Sequence, residues 1–131
     1  MGKTYLLDTN TVVYFLDSQL PEKSLDFIEN ALDETGSFIF IISKIELLGW
    51  STPSTEALNL VERFVSDCFV LPLTDNVVDK AIEIRRAHKI KLPDAVIAAT
   101  AIVNQYTLIS RNDEDFRKVE GLEYLNPFKD I

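Results

Sequence analysis

The sequence is poor in several things, and each shortage excludes a class of protein. It has one cysteine, Cys68, so no internal disulfide and no cysteine-built zinc cage can form. Nothing in it therefore requires an oxidising compartment. Four glycines and five prolines are too few for a collagen-like or linker-dominated chain. The longest strictly apolar runs, Phe38–Ile42 and Ala95–Ala99, fall far short of the ~20 residues that span a bilayer as a helix. The opening MGKTYLLDTN reaches Asp8 before any apolar run of signal-peptide length. It also has Leu6 where N-myristoylation requires Ser or Thr. These features predict a soluble cytoplasmic chain. Basic residues are scarce too: 13 Lys and Arg against 21 Asp and Glu give a net charge of −8. That excludes a protein that coats nucleic acid through Lys and Arg. It leaves a dispersing surface charge or a clustered set of metal-binding acids.

What is present fits one ordinary globular domain of 131 residues, with 47% hydrophobic and 26% charged residues. No repeat or composition shift divides residues 1–131. Short apolar runs alternate with helical patterns. Thr4–Leu7 reads as a strand ending at Asp8, and Thr9–Leu16 as a short helix. Leu25, Ile28 and Leu32 mark an amphipathic helix broken at Gly36 and Ser37. Phe38–Ile42 is a continuous apolar strand of the kind buried on both faces in parallel sheets. Ser43 is expected to open the next helix, and Thr52-Pro53 the one after, with Leu58, Val61, Phe64 and Val65 inward. Cys68–Leu71 reads as a third strand. Thr74 caps a helix with Val77, Val78, Ala81 and Ile82 inward. Pro93 begins a central helix through Asn104, Tyr106–Ile109 is a fourth strand, and Glu123–Leu125 a last extended piece. This order predicts a three-layer α/β/α sandwich around a mainly parallel sheet of four to five strands.

In such sheets ligands bind beyond the carboxyl ends of the strands. Asp8, Thr9 and Asn10 follow the first strand. Ser43 and Glu46 follow the second. Ser110, Arg111, Asn112, Asp113, Glu114 and Asp115 follow the fourth, and Asp94 opens the central helix. Carboxylates gathered at one rim repel unless a cation lies between them, and such hard oxygen donors suit Mg²⁺ or Mn²⁺. Each acid also has a structural reading. Asp8 can cap the helix at Thr9. Ser43-x-x-Glu46 is a capping-box sequence. Asp94 suits a first helical turn, and Asp113–Asp115 suits a solvated turn. Val12, Val13, Phe15, Leu16 and Trp50 are candidates for a partner surface or for core. His88, at a helix end, reads as an exposed last-turn residue.

The segments LLDTN (6–10), ISKIELLGW (42–50), KLPDAVIAATAI (91–102), LISRNDEDF (108–116) and GLEYLNP (121–127) resemble the PIN-domain family in order and spacing. The nearest likeness is to the VapC-type toxins of prokaryotic toxin–antitoxin pairs. The resemblance implies a metal-dependent endoribonuclease using Mg²⁺ or Mn²⁺. Its acids fall on Asp8, Glu46 and Asp94, and a fourth on Asp115, with Asp113 as its neighbour. Supporting hydroxyls fall on Thr9 and Ser110, and Asn10, Arg111 and Asn112 lie beside them. Leu92-Pro93 departs from the small or polar pair that precedes the third acid in many relatives. The resemblance also implies an RNA substrate, an antitoxin partner and a homodimer. Two other enzyme classes fit less well. A dehalogenase-type phosphatase needs an acid where Asn10 stands. A receiver domain needs a late Lys where Ser110-Arg111 stands. The remaining alternative is a non-catalytic PIN-like module that binds RNA or protein.

Overall fold

The computed structural model describes residues 3–131. Met1 and Gly2, with which the myristoylation reading begins, lie outside the described residues. Five strands form one sheet: β1 (Tyr5–Leu7), β2 (Phe38–Phe40), β3 (Phe69–Leu71), β4 (Thr107–Ile109) and β5 (Tyr124–Leu125). Their order is β3-β2-β1-β4-β5, and all four pairings are parallel. The helices are α1 (Thr9–Leu16), α2 (Glu22–Thr35), α3 (Ile41–Leu48), α4 (Thr55–Asp67), α5 (Asp75–Ala87), α6 (Leu92–Asn104) and α7 (Asp113–Phe116).

Successive strand side chains point to opposite faces, and that alternation divides the core in two. Leu6, Phe40 and Leu108 join Val77, Ala81 and Ile84 of α5 and Ile97 and Ala98 of α6 on one side. Leu7, Ile39 and Ile109 join Val12, Ile28, Leu47, Val61 and Val65 on the other. Both faces are covered, so the strands are apolar but for Thr107 at the start of β4, as a parallel sheet favours. The three-layer α/β/α arrangement is the one expected from the sequence. No helix among the described residues is long and apolar enough to cross a membrane.

Several local expectations are corrected. The apolar run 38–42 is strand only to Phe40; Ile41 and Ile42 already belong to α3. Phe40 occupies the N-cap position without a side-chain bond, so no polar residue marks that start. Ser43 thus lies inside the helix, and the capping box with Glu46 does not form. Helix α4 is capped by Ser54, whose hydroxyl accepts from the Ala57 amide, rather than starting at Pro53. Thr74 does cap α5. Val77 and Ala81 are buried, but Val78 and Ile82 are 39% and 46% exposed. They line an apolar groove of about 620 Å³ with Ile42, Leu73, Leu92 and Val96. Val12 is buried, whereas Val13 and Trp50 are exposed. His88 is the half-exposed C-cap of α5. Gly36 ends α2 at φ +94°, where a Cβ would also meet the Phe69 ring at 3.0 Å.

The last turn of the chain is latched to α7. Asp113 accepts from the Tyr124 hydroxyl (2.7 Å), the Asn126 amide (3.1 Å) and Lys129 (2.8 Å), and pairs with Arg117. Arg117 also grips both oxygens of Asp130 at 3.0 and 2.8 Å. The Lys129, Tyr124 and Asn126 bonds hold the Asp113 carboxyl far below its usual 3.8. A depressed acid contributes stability that is complete above its unfolded value and is lost as pH falls toward the folded one. Asp113→Asn is therefore expected to lower the melting temperature at pH 7. The gap to the parent should narrow progressively below about pH 4. A gap that stays constant across that range would show that the carboxylate charge is not what holds the latch.

Candidate functional site

Parallel pairing brings the C-terminal ends of β1, β2 and β4 to one edge. Strand order reverses between β1 and β4, where open sheets leave a crevice. The two ends are tied there: the Asp8 amide and the buried Thr11 hydroxyl both donate to the Ile109 carbonyl, at 3.3 and 2.9 Å. The cleft above, about 130 Å³, is lined by Asp8, Thr9, Asn10, Ser43, Glu46 and Asp94.

Asp8 is both a helix cap and a cleft residue, so its two readings hold together. Its Oδ1 accepts from the Thr11 amide at 2.8 Å, and the Ser110 hydroxyl also bonds its carboxyl. Burial pushes the Asp8 carboxyl above its usual value; these bonds oppose that rise without cancelling it, and nearby Glu46 adds to it. Ser110 itself is buried and accepts from the Asn112 amide at 3.2 Å.

Glu46 sits one helical turn beyond Ser43 on α3, so both side chains share a face. The Thr9 hydroxyl lies 2.7 Å from Glu46 Oε1 and 3.0 Å from the Ser43 hydroxyl. With one proton it donates to the carboxylate and accepts from Ser43. This chain fixes Glu46 toward α1 rather than toward its own backbone. Ser43 thus belongs to the cleft, a place its apparent capping role concealed in the sequence.

Asp94 is the third residue of α6, after Pro93 in the first turn. Its carboxyl is also raised, by burial first, then by Asp115 and by Asp8. Asp115 lies against Asp94, and its own carboxyl is lowered, chiefly by the Asn112 amide at 2.9 Å. Asn112 also caps α7 by accepting from the Asp115 amide. Asp113 is turned to the C-terminal latch instead, which separates the two neighbours that spacing left open. Arg111 is exposed, with its guanidinium over the Phe128 ring.

Four carboxylates thus approach one another from four elements, and their mutual repulsion is what a bound cation relieves. Among the described residues no three His, Cys, Asp or Glu side chains close on one point tightly enough to grip an ion unaided. Mg²⁺ does not need such a cage, since it keeps several waters and takes only one or two carboxylates directly. The hard oxygen donors and raised acids fit an ion of that kind. Asp94→Asn removes one of the repelling charges at constant shape. In EDTA at pH 7 it is expected to stabilise the fold by up to ~1 kcal/mol, read as a rise in melting temperature. A fall would mark Asp94 as a structural acid.

The family model described as PIN domain matches residues 5–122. No curated protein matches the sequence. Among solved structures, VapBC2 from Rickettsia felis, bound to a DNA fragment from their promoter, aligns with TM-score 0.80 at 22% identity. The match covers 94% of this chain and 98% of that one. DNA-bound VapBC from Salmonella typhimurium aligns with TM-score 0.79 at 23% identity, over 96% and 99%. VapBC-1 from nontypeable Haemophilus influenzae aligns with TM-score 0.79 at 20% identity, also over 96% and 99%. At these identities the likeness is one of fold. The family match over residues 5–122, carried on a five-stranded parallel sheet with its acids at one rim, shows that this chain belongs to the PIN domain family.

Proposed function

We propose that the chain is a divalent-metal-dependent endoribonuclease, and that it is the toxin of a toxin–antitoxin pair. The observation that carries the first part is the convergence of Asp8, Glu46 and Asp94 on one cleft, with Asp115 against Asp94. Asp8 and Asp94, with Glu46 and Asp115 beside them, would hold Mg²⁺ or Mn²⁺. A divalent ion there would supply positive charge against the negative charge that builds on phosphoryl oxygens, and would acidify a bound water.

The chain's own residues do the rest. The Ser110 and Thr11 bonds fix the orientation of Asp8. Asn112 fixes Asp115 from both its amide and its carbonyl. Glu46, open to solvent and oriented by Thr9, would receive a proton from attacking water when it is not itself bound to the ion. The only histidine, His88, caps α5 and is not among the cleft residues, and Cys68 is pushed up to about 12 by burial. Neither suits nucleophilic or acid–base work, which leaves hydrolysis supported by carboxylates. A non-catalytic module would be favoured by a missing acid, and all four stations are filled.

The toxin reading draws support from structural neighbours described as a toxin–antitoxin complex and as a member of the VapBC family of toxin–antitoxin systems, together with the family membership. It brings with it an antitoxin partner, a homodimer, a cytoplasmic location and an RNA substrate.

The test is cleavage of an RNA panel by the purified chain in Mg²⁺ or Mn²⁺, with and without EDTA. Cleavage is expected with either ion and is lost in EDTA. Asp8→Asn and Asp94→Asn should each lose at least the roughly 10–100-fold that disturbing a metal's outer shell costs. Mg²⁺ should raise the melting temperature of the parent through linkage, and far less in either variant. Cleavage that persists in EDTA would overturn the metal-dependent reading.

A further inference from the structure

Two arginines six positions apart are used in opposite ways. Arg117 is spent on structure, paired with Asp113 and Asp130. Arg111 makes no ion pair among the described residues, although the chain carries 21 acids. Its guanidinium lies over the Phe128 ring at 4.1 Å and 5.8 Å from the centroid of Tyr14. Those two rings meet edge to face at 5.3 Å and 87°.

The aromatic corner is itself built. Tyr14 lies one turn beyond the cleft residue Asn10 on α1, so the two share a face. Phe128 is set by the C-terminal latch: its amide donates to Asn126 Oδ1 at 2.8 Å, and the Asn126 amide donates to Asp130 at 2.7 Å. The buried Ser24 hydroxyl donates to the neighbouring Pro127 carbonyl. Stacking satisfies the flat face of a guanidinium and leaves its N–H edge unspent. Arg111 also stands between Ser110, which bonds Asp8, and Asn112, which holds Asp115.

We propose that Arg111, stacked on Phe128 and Tyr14, is a binding seat for a backbone phosphate of single-stranded RNA entering the acidic cleft. The seat rests on the ribonuclease reading and deepens it. An acidic cleft repels the polyanion it must cleave, and a cation on the segment that carries Ser110 and Asn112 offsets that repulsion along the strand's approach. A guanidinium held on rings engages phosphate oxygens with little loss of side-chain freedom. The aromatic corner therefore makes Arg111 a different residue from a mobile surface lysine.

The test is binding of a fluorescent single-stranded RNA oligonucleotide to the full chain carrying Asp94→Asn, in EDTA, across a salt series. Arg111→Gln is expected to weaken binding about 10-fold. It should also lower the slope of log affinity against log salt by about 0.7, the value for one phosphate on a single strand. Arg111→Lys keeps the charge and should restore the slope while leaving most of the affinity loss. Phe128→Leu should weaken binding without changing the slope, with a melting curve confirming that it folds. Equal affinity and slope for Arg111→Gln and its parent overturn the seat while leaving the ribonuclease reading intact. Full rescue by Arg111→Lys overturns the stacked geometry. Failure of the parent to bind RNA overturns the seat, whereas the ribonuclease reading stands or falls on cleavage in Mg²⁺ or Mn²⁺.

Discussion

Parallel pairing of β1 with β2 on one side and β4 on the other is the constraint from which the site follows. Strands running the same way end at the same edge, so the residues after them must meet there. Asp8, Ser43 with Glu46, and Ser110 with its neighbours reach one rim because Leu6 pairs beside Phe38 and Leu108. The bonds from the Asp8 amide and the Thr11 hydroxyl to the Ile109 carbonyl hold that edge closed across the point where strand order reverses. Asp94 comes from a helix, and α6 is fixed by burial through its middle, at Ala95 and from Ile97 to Ala101. The acids are held together by packing elsewhere in the molecule, against their own repulsion.

Three of the four acids have a neutral partner. Thr9 and Ser43 serve Glu46, Ser110 and Thr11 serve Asp8, and Asn112 serves Asp115. Hydroxyls and amides orient a carboxylate without neutralising it, and among the described residues only Asp115 of these acids also pairs with a cation, Lys118 at 3.5 Å. Arg117 and Lys129 are kept to Asp113 and Asp130, on the latch. A protein with eight more acids than bases thus divides its cations: these two fasten the chain end, and Arg111 is stacked on aromatic rings.

Much of the fold was legible because the two sheet faces are both buried and helix periodicity is strong; α1 was readable to its limits. The errors have physical causes. Ile41 and Ile42 prolong the apolar run of β2, and α3 starts at Phe40 without a polar cap, so the strand looked longer and Ser43-x-x-Glu46 looked like a capping box. Val78 and Ile82 have the spacing of a buried stripe, yet the arc of α5 that faces the core is narrower than its apolar arc. In the site, the strand ends pointed to Asp8 and Glu46, and the start of the central helix to Asp94. Spacing could not separate Asp113 from Asp115, because the choice is made by Tyr124, Asn126 and Lys129, farther along the chain. The corner made by Tyr14, Arg111 and Phe128 left no local signal, since 97 positions separate Tyr14 from Arg111 and 17 separate Arg111 from Phe128.

Metal-dependent cleavage requires these carboxylates to form one cation centre. Anomalous scattering from crystals soaked in Mn²⁺ detects such a centre. A peak is expected in the cleft at about 2.0–2.2 Å from carboxylate oxygens of Asp8 and Asp94, absent from crystals of Asp94→Asn. A fully soaked crystal with no peak at that rim, or with manganese bound only at other surface acids, would contradict it.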